Sequence, residues 1–135
     1  MENTLDMAIY SPDSVDKLAR LANDLSRHGN WCVRQSVAEN TSAPGDALNK
    51  LATDKYSEVR LVVAGNTGTP GDALNKLATD KYSEVRLVVA ENPSAPGEVL
   101  EKSANDKNKD VRNAVKLNPS TPEHVKVFLA LEPAK

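Results

Sequence analysis

Residues 44–64 read PGDALNKLATDKYSEVRLVVA, and after Gly65-Asn66-Thr67-Gly68-Thr69 the same 21 residues return as 70–90. The offset of 26 residues governs the chain on both sides of this pair. Val-Arg recurs at 33–34, 59–60, 85–86 and 111–112. Pro44, Pro70, Pro96 and Pro122 keep the same step, as do Asn40, Asn66, Asn92 and Asn118. Agreement among separate registers identifies a tandem repeat, which takes precedence over any local reading. Identity of this extent marks either a recent duplication or a consensus sequence, and the two central units must present nearly the same surface.

Each unit reads as a pair of short helices. Thr69-Pro70-Gly71-Asp72 predicts a helix start, with a hydroxyl at the N-cap, proline at the first helical position and an acid in the first turn. Ala73, Leu74, Leu77 and Ala78 then form one apolar stripe, while Asn75, Lys76 and Thr79 face away. This helix is expected to end near Asp80 after about three turns. Ser83 is expected to cap a second, shorter helix with Val85, Val88 and Val89 as its stripe. Asn92-Pro93 stops it, because the residue before proline disfavours helix.

Helices this short are marginal in isolation. A unit that cannot bury its stripe alone must stack on its neighbours and share a continuous core, so the expected fold is an all-α solenoid of about four and a half two-helix repeats. A helical bundle would use longer helices and has no need of the same residue every 26 positions.

The chain is read as one repeat domain, 1–135, with a capping half-repeat over 1–32, three repeats over 33–110 and a C-terminal capping repeat over 111–135. In the first part, Ser11–Ser26 keeps helical spacing through Val15, Leu18, Leu21, Ala22 and Leu25, with His28-Gly29 as its stop. In the last, Thr121 and Pro122 open a helix with Val125, Phe128 and Leu129 as its stripe. Lys126 stands there in place of Leu48, Leu74 and Leu100, which suits a helix with no further neighbour to cover. The count is five helices of the first type and four of the second, with Ala134-Lys135 as a frayed tail.

Composition narrows the class of work. Apolar residues at 39% and charged residues at 27% match ordinary globular usage. A net charge of −2 leaves no global basic field to draw the chain onto nucleic acid or anionic lipid. Cys32 is the one cysteine, which excludes an internal disulfide, a four-cysteine zinc site and an all-cysteine iron–sulfur cluster built from this chain alone. It is expected to be a partly buried, reduced thiol. The N-terminal MENTLDMAIY has no basic segment followed by an apolar run, and no stretch approaches about 18 apolar residues. These features argue against secretion by a standard signal and against membrane spanning, and the expected location is cytoplasmic.

The run Val85-Arg86-Leu87-Val88-Val89-Ala90-Glu91-Asn92-Pro93-Ser94-Ala95-Pro96, with Leu74, Leu77, Ala78 and Asp80 in the unit before it, resembles the leucine-rich repeat variant family. The resemblance covers Val33 to about Ala130. It implies alternating helices, one α and one short or 3₁₀-like, wound into a right-handed superhelix, with protein binding as the usual role and no assigned catalysis. Some members carry a cysteine cluster for an iron–sulfur centre before the repeats; this chain lacks those cysteines, so that activity is not carried over. Gly65 and Thr67 depart from the pattern, as do Ser103 and Lys126. HEAT-like repeats are similar in carrying Asp and Val-Arg at the junction of two helices, and some of them bind nucleic acid or act as DNA glycosylases. The period here is shorter than a HEAT unit.

Arg34, Arg60, Arg86 and Arg112 form the most regular polar column. A ladder of guanidiniums binds phosphates or a partner's carboxylates. Equally, Glu58, Glu84 and Asp110 beside the valines, and Asp54, Asp80 and Asp106 at the preceding helix ends, are acidic partners for bridges between units. The asparagine column reads as structural, satisfying loop amides at a repeated turn, and the proline column as the helix starts. Leu61 and Leu87 follow their arginines at a position expected to face outward, as an exposed apolar strip for partner contact or as surface covered by adjacent units. Tyr56 and Tyr82 precede the second helices and read either as binding anchors or as packing over a loop.

Catalytic constellations are thin. His28 and His124 lie at opposite ends of the array, and no phosphate-cradling glycine loop, serine elbow or CxxC pair is present. No cofactor, metal or catalytic residue is assigned. The reading is a non-enzymatic protein-binding module that displays second-helix side chains on a rigid core. The alternative is nucleic-acid binding through the arginine column, and a glycosylase of the HEAT-like kind stands third for want of an aromatic-walled pocket. Two nearly identical units also permit end-to-end self-association.

Overall fold

Across residues 23–131, which the computed structural model describes, each unit folds as two α-helices joined by tight turns. The last turn of one helix, residues 23–26, is followed by α1 (Trp31–Glu39), α2 (Gly45–Leu51), α3 (Ser57–Gly65) and α4 (Gly71–Leu77). Then come α5 (Ser83–Glu91), α6 (Gly97–Ser103), α7 (Lys109–Leu117) and α8 (Glu123–Ala130). The expected opening helix lies mostly outside the described residues, as do Val15, Leu18, Leu21, Ala22 and the tail; Leu25 is inside and packs against the core.

Relative helix lengths are the reverse of the expectation. The first helix of each central unit has 7 residues and the second has 9. Both are α-helical, so of the short or 3₁₀-like element that the family resemblance implies, the structure has a short α-helix and no 3₁₀-like one in these units. The first helix starts later than expected because Pro70 is itself the N-cap, with extended backbone, and Thr69 does not cap. The Thr69 hydroxyl instead donates to the Val63 carbonyl at 2.7 Å, satisfying the end of α3, and Thr121 does the same for Val115. Ser83 is the first residue of α5 and not its cap; the cap position is Tyr82, whose N–H donates to Asp80 Oδ1 at 3.0 Å.

One continuous core runs the length of the array. Ala47, Leu48 and Leu51, then Ala73, Leu74 and Leu77, then Val99 and Leu100 line the first helices, facing Val59 and Val63, Val85 and Val89, and Val111 and Val115. Val125 and Leu129 close it, but Phe128, expected in that stripe, is 51% exposed. Its place in the repeat is that of Lys50, Lys76 and Lys102, which all face solvent. Val62 and Val88 also turn partly outward, so the second-helix stripe is narrower than expected.

The asparagine column joins each unit to the one before. Asn92, buried, donates from Nδ2 to the Ala64 carbonyl at 2.8 Å and to the Asn66 carbonyl at 3.2 Å, and its Oδ1 accepts from Ser94 N–H at 2.8 Å. Asn66 and Asn118 repeat the arrangement one unit back and one unit on. These bonds satisfy carbonyls that the helix ends leave open. The proline column packs beside them: a Cβ at Gly71 would stand 3.1 Å from Pro96 Cγ, with the same closeness at Gly45 to Pro70 and Gly97 to Pro122. Glycine after each proline thus leaves room for the next unit's proline where the starts of consecutive first helices meet.

The 9-residue helices α1, α3, α5 and α7 pack on one another in series, while the shorter first helices sit farther apart. A stack that is tighter on one side curves toward that side, which puts α1, α3, α5 and α7 on the concave face of the solenoid.

Candidate functional site

The arginine column is the first candidate, and the structure places it inside the stack. Arg34, Arg60 and Arg86 are only 6%, 8% and 7% exposed. Arg60 donates through Nε to Asp80 Oδ2 at 2.7 Å, and through Nη1 to the Asp54 backbone carbonyl at 2.7 Å. Arg34 and Arg86 grip Asp54 and Asp106 in the same way, at 2.6 and 2.8 Å. Arg112 donates to the Asp106 carbonyl at 2.7 Å. Each aspartate also accepts from the N–H two residues on, as Asp54 does from Tyr56. Hydrogen bonding to Asp54 raises the Arg34 pKa further. Burial would raise the Asp54 carboxyl, but the bonds from Arg34 and the Tyr56 amide, with the charges of Arg34 and Arg60, hold it below its ordinary value.

The bridging acids are therefore the helix-end aspartates, each paired with the arginine of the preceding unit. Glu58, Glu84 and Asp110 are exposed. Their spacing explains it: residues two apart on a helix do not face each other, so a glutamate two positions before a buried arginine turns outward. The aspartate register extends back to His28, whose Nδ1 accepts from Asn30 N–H at 3.0 Å and whose carbonyl accepts from Arg34 at 2.6 Å. His28 is the first rung of the ladder.

Outward on the concave face stand Leu61, 36% exposed, and Leu87, which is half-buried, with Val62 and Val88 beside them. Tyr56 and Tyr82 rim the face at 39% and 45% exposure. The Arg60 guanidinium and the Lys81 ammonium lie 5.9 and 5.4 Å from the centre of the Tyr82 ring. Trp31 meets Tyr56 with ring centres 5.8 Å apart. The tyrosines hold a position that Asn30 and Asn108 hold in the flanking units, where the asparagine side chain caps its helix by accepting from Cys32 N–H and Asp110 N–H. α3 and α5 have no such side-chain bond. The central units thus forgo a cap of about 1 kcal/mol to present an exposed phenol.

Between α3 and α5 the face holds a cleft of about 180 Å³, lined by Ser57, Glu58, Leu61, Tyr82, Glu84 and Val85. It joins apolar walls to two carboxylates. Sequence reading named the leucine and the tyrosine, and missed the glutamates because it assigned them to the arginines.

The remaining candidates are dispersed. Cys32 is exposed and not partly buried as expected, since it shares the outward register of Glu58 and Glu84. His124 pairs with Glu101 on the outer face, far along the chain from His28. Among the described residues no group of three or more His, Cys, Asp or Glu side chains is placed to hold a metal ion, and no helix is long and apolar enough to cross a membrane. No family model matches the chain, and neither a curated protein nor a solved structure matches it.

Proposed function

We propose that this chain is a non-enzymatic protein-binding module, a solenoid of the leucine-rich-repeat-variant type whose concave face receives a partner. The observation that carries the reading is the replacement of capping asparagines by exposed Tyr56 and Tyr82 in the two units that also place leucines, Leu61 and Leu87, on the face. A stack concerned only with stability would keep the cap. Aromatic rings beside aliphatic side chains on a rigid, preorganised surface are what partner contacts are made of. The arginine column, the basis for a nucleic-acid reading, is engaged by Asp54, Asp80 and Asp106 and offers few open donors. A reducing, cytoplasmic setting fits an exposed free thiol at Cys32.

The test is capture from a source lysate with two baits, the native chain and a Leu61→Asp/Leu87→Asp variant of unchanged helicity, each with and without nuclease. A protein retained by the native bait in both arms and lost from the variant supports the reading. Retention that nuclease abolishes, or that the variant keeps in full, overturns it.

A further inference from the structure

The cleft between α3 and α5 combines two things a long cationic side chain needs. Leu61 and Tyr82 supply apolar walls for a methylene stem, and Glu58 and Glu84 supply carboxylates for its head. We infer that the concave face binds an extended basic segment of a partner protein, seating one arginine or lysine side chain in this cleft. The inference rests on the protein-binding reading above and names the chemistry of the partner.

Charge on the face points the same way. On α1, α3 and α5 the exposed ionisable side chains other than the Cys32 thiol are Glu39, Glu58, Glu84 and Glu91, and α7 adds Asp110 with Lys109 and Lys116, while Arg34, Arg60 and Arg86 are buried in their bridges. The first helices are more evenly balanced: Asp46 accompanies Lys50 on α2, Asp72 accompanies Lys76 on α4, and Glu98 and Glu101 stand with Lys102 on α6. Lys55 and Lys81 sit at the rim, against the rings of Tyr56 and Tyr82. A phosphate backbone approaching α1, α3 and α5 meets four carboxylates around their apolar centre, whereas a cationic chain is drawn to it.

The repeat sets a spacing. Adjacent helices pack about 8–10 Å apart, and a chain in the extended polyproline-II conformation advances about 3.1 Å per residue with every third side chain on one side, so a segment crossing the helices presents one side chain to each step at every third residue. The step from α1 to α3 offers Gln35, Tyr56 and Glu58, and the step from α5 to α7 offers Leu87 between Glu84 and Asp110. The preferred pattern is therefore a basic residue at every third position with apolar residues between.

The probes are fluorescent peptides titrated by anisotropy with the full chain. One has four Arg-Leu-Ser triplets, a second has the same residues in blocks, a third has Glu for each Arg, and a 12-mer of thymidylate serves as the nucleic-acid arm. The triplet peptide is expected to bind at least about tenfold tighter than any other probe. Glu58→Gln/Glu84→Gln and Leu61→Ser should each weaken it about tenfold, and Asp72→Asn on the outer face should leave it unchanged. Absence of binding up to about 1 mM, equal binding by the Glu or thymidylate probe, or indifference to Glu58→Gln/Glu84→Gln overturns the inference. Binding of the Glu peptide that Leu61→Ser removes overturns the basic partner alone. Absence of binding by every peptide, joined to capture that Leu61→Asp/Leu87→Asp leaves intact, overturns the protein-binding reading as well.

Discussion

Arg60 and Asp80 stand 20 residues apart in the chain and meet at 2.7 Å, while the same guanidinium holds the Asp54 carbonyl. One side chain thereby ties two successive units. The pair is nearly buried, with side chains 10% and 7% exposed, so removing one partner strands the other charge where water cannot compensate it. Asp80→Ala is expected to destabilise the fold by about 3 kcal/mol. Arg60→Met/Asp80→Leu should cost much less than the sum of the two single truncations, because no charge is left behind. Urea unfolding followed by circular dichroism measures all of these, and additive single and double effects would count against the bridge as drawn.

Asn92 makes three hydrogen bonds from a buried side chain, two of them to carbonyls of the preceding unit. Asn92→Ala leaves both carbonyls and the Ser94 amide without that partner, and an unmade bond costs more than a made one contributes. The expected loss is about 2–3 kcal/mol. Asn92→Asp should be no rescue, since a carboxylate has no proton to donate to the Ala64 carbonyl. Midpoints of urea unfolding decide both.

Acid should weaken the Arg34–Asp54 rung of the ladder. The Asp54 carboxyl is held below its ordinary value of 3.8, so the folded state binds its proton less readily than the unfolded chain. A depressed folded pKa gives stability that is fully present above the unfolded value and is lost as pH falls through the folded one. Stability is therefore expected to be flat near neutrality from this group and to decline below about pH 4. Asp54→Asn should be less stable at pH 7 and show a shallower decline in acid, and parallel acid curves for the two proteins would refute the assignment.

Much of this was legible in 26-residue steps, and the misreadings share one cause. The period, the paired helices and the inward stripe follow from residues that repeat, such as Leu48, Leu74 and Leu100. Partners across units are not written in the local pattern. Arg60 reaches forward to Asp80, one of the two sets of acids the sequence offered it, and Thr69 reaches six residues back to the end of α3, so reading Thr69 as a cap and Glu58 as an alternative bridge gave each a neighbour on its own helix instead of its actual partner. Two signals were available. The 200° turn between Glu58 and Arg60 separates their faces, and glycine after Pro44, Pro70 and Pro96 gives way to Glu123 after Pro122, in the last unit. The cleft was half legible: Leu61 and Tyr82 were in view, and the acids beside them were assigned elsewhere.

Ser103 occupies the register of Leu51, Leu77 and Leu129, is 1% exposed, and has an Oγ with no protein hydrogen-bond partner among the described residues. A buried hydroxyl without a partner carries a desolvation cost. Ser103→Ala removes that cost without adding volume, and should raise stability by about 1 kcal/mol. A loss on this substitution would mean that the hydroxyl is satisfied in solution.

Tyr82→Asn separates a structural role for the tyrosine from a binding one. Asparagine at this position caps α7 through Asn108, so the substitution restores a bond from the Asp or Glu two residues on, here the N–H of Glu84. The gain of about 1 kcal/mol offsets the ring's contacts with Arg60 and Lys81, which at an exposed site contribute about 0.5–1 kcal/mol. Stability is expected to hold or rise slightly. Capture of a partner, and binding of the Arg-Leu-Ser peptide, should fall, because the cleft loses its aromatic wall. A variant that loses stability and keeps binding would show that Tyr82 serves the fold, and that α5 surrendered its cap for packing and not for a partner.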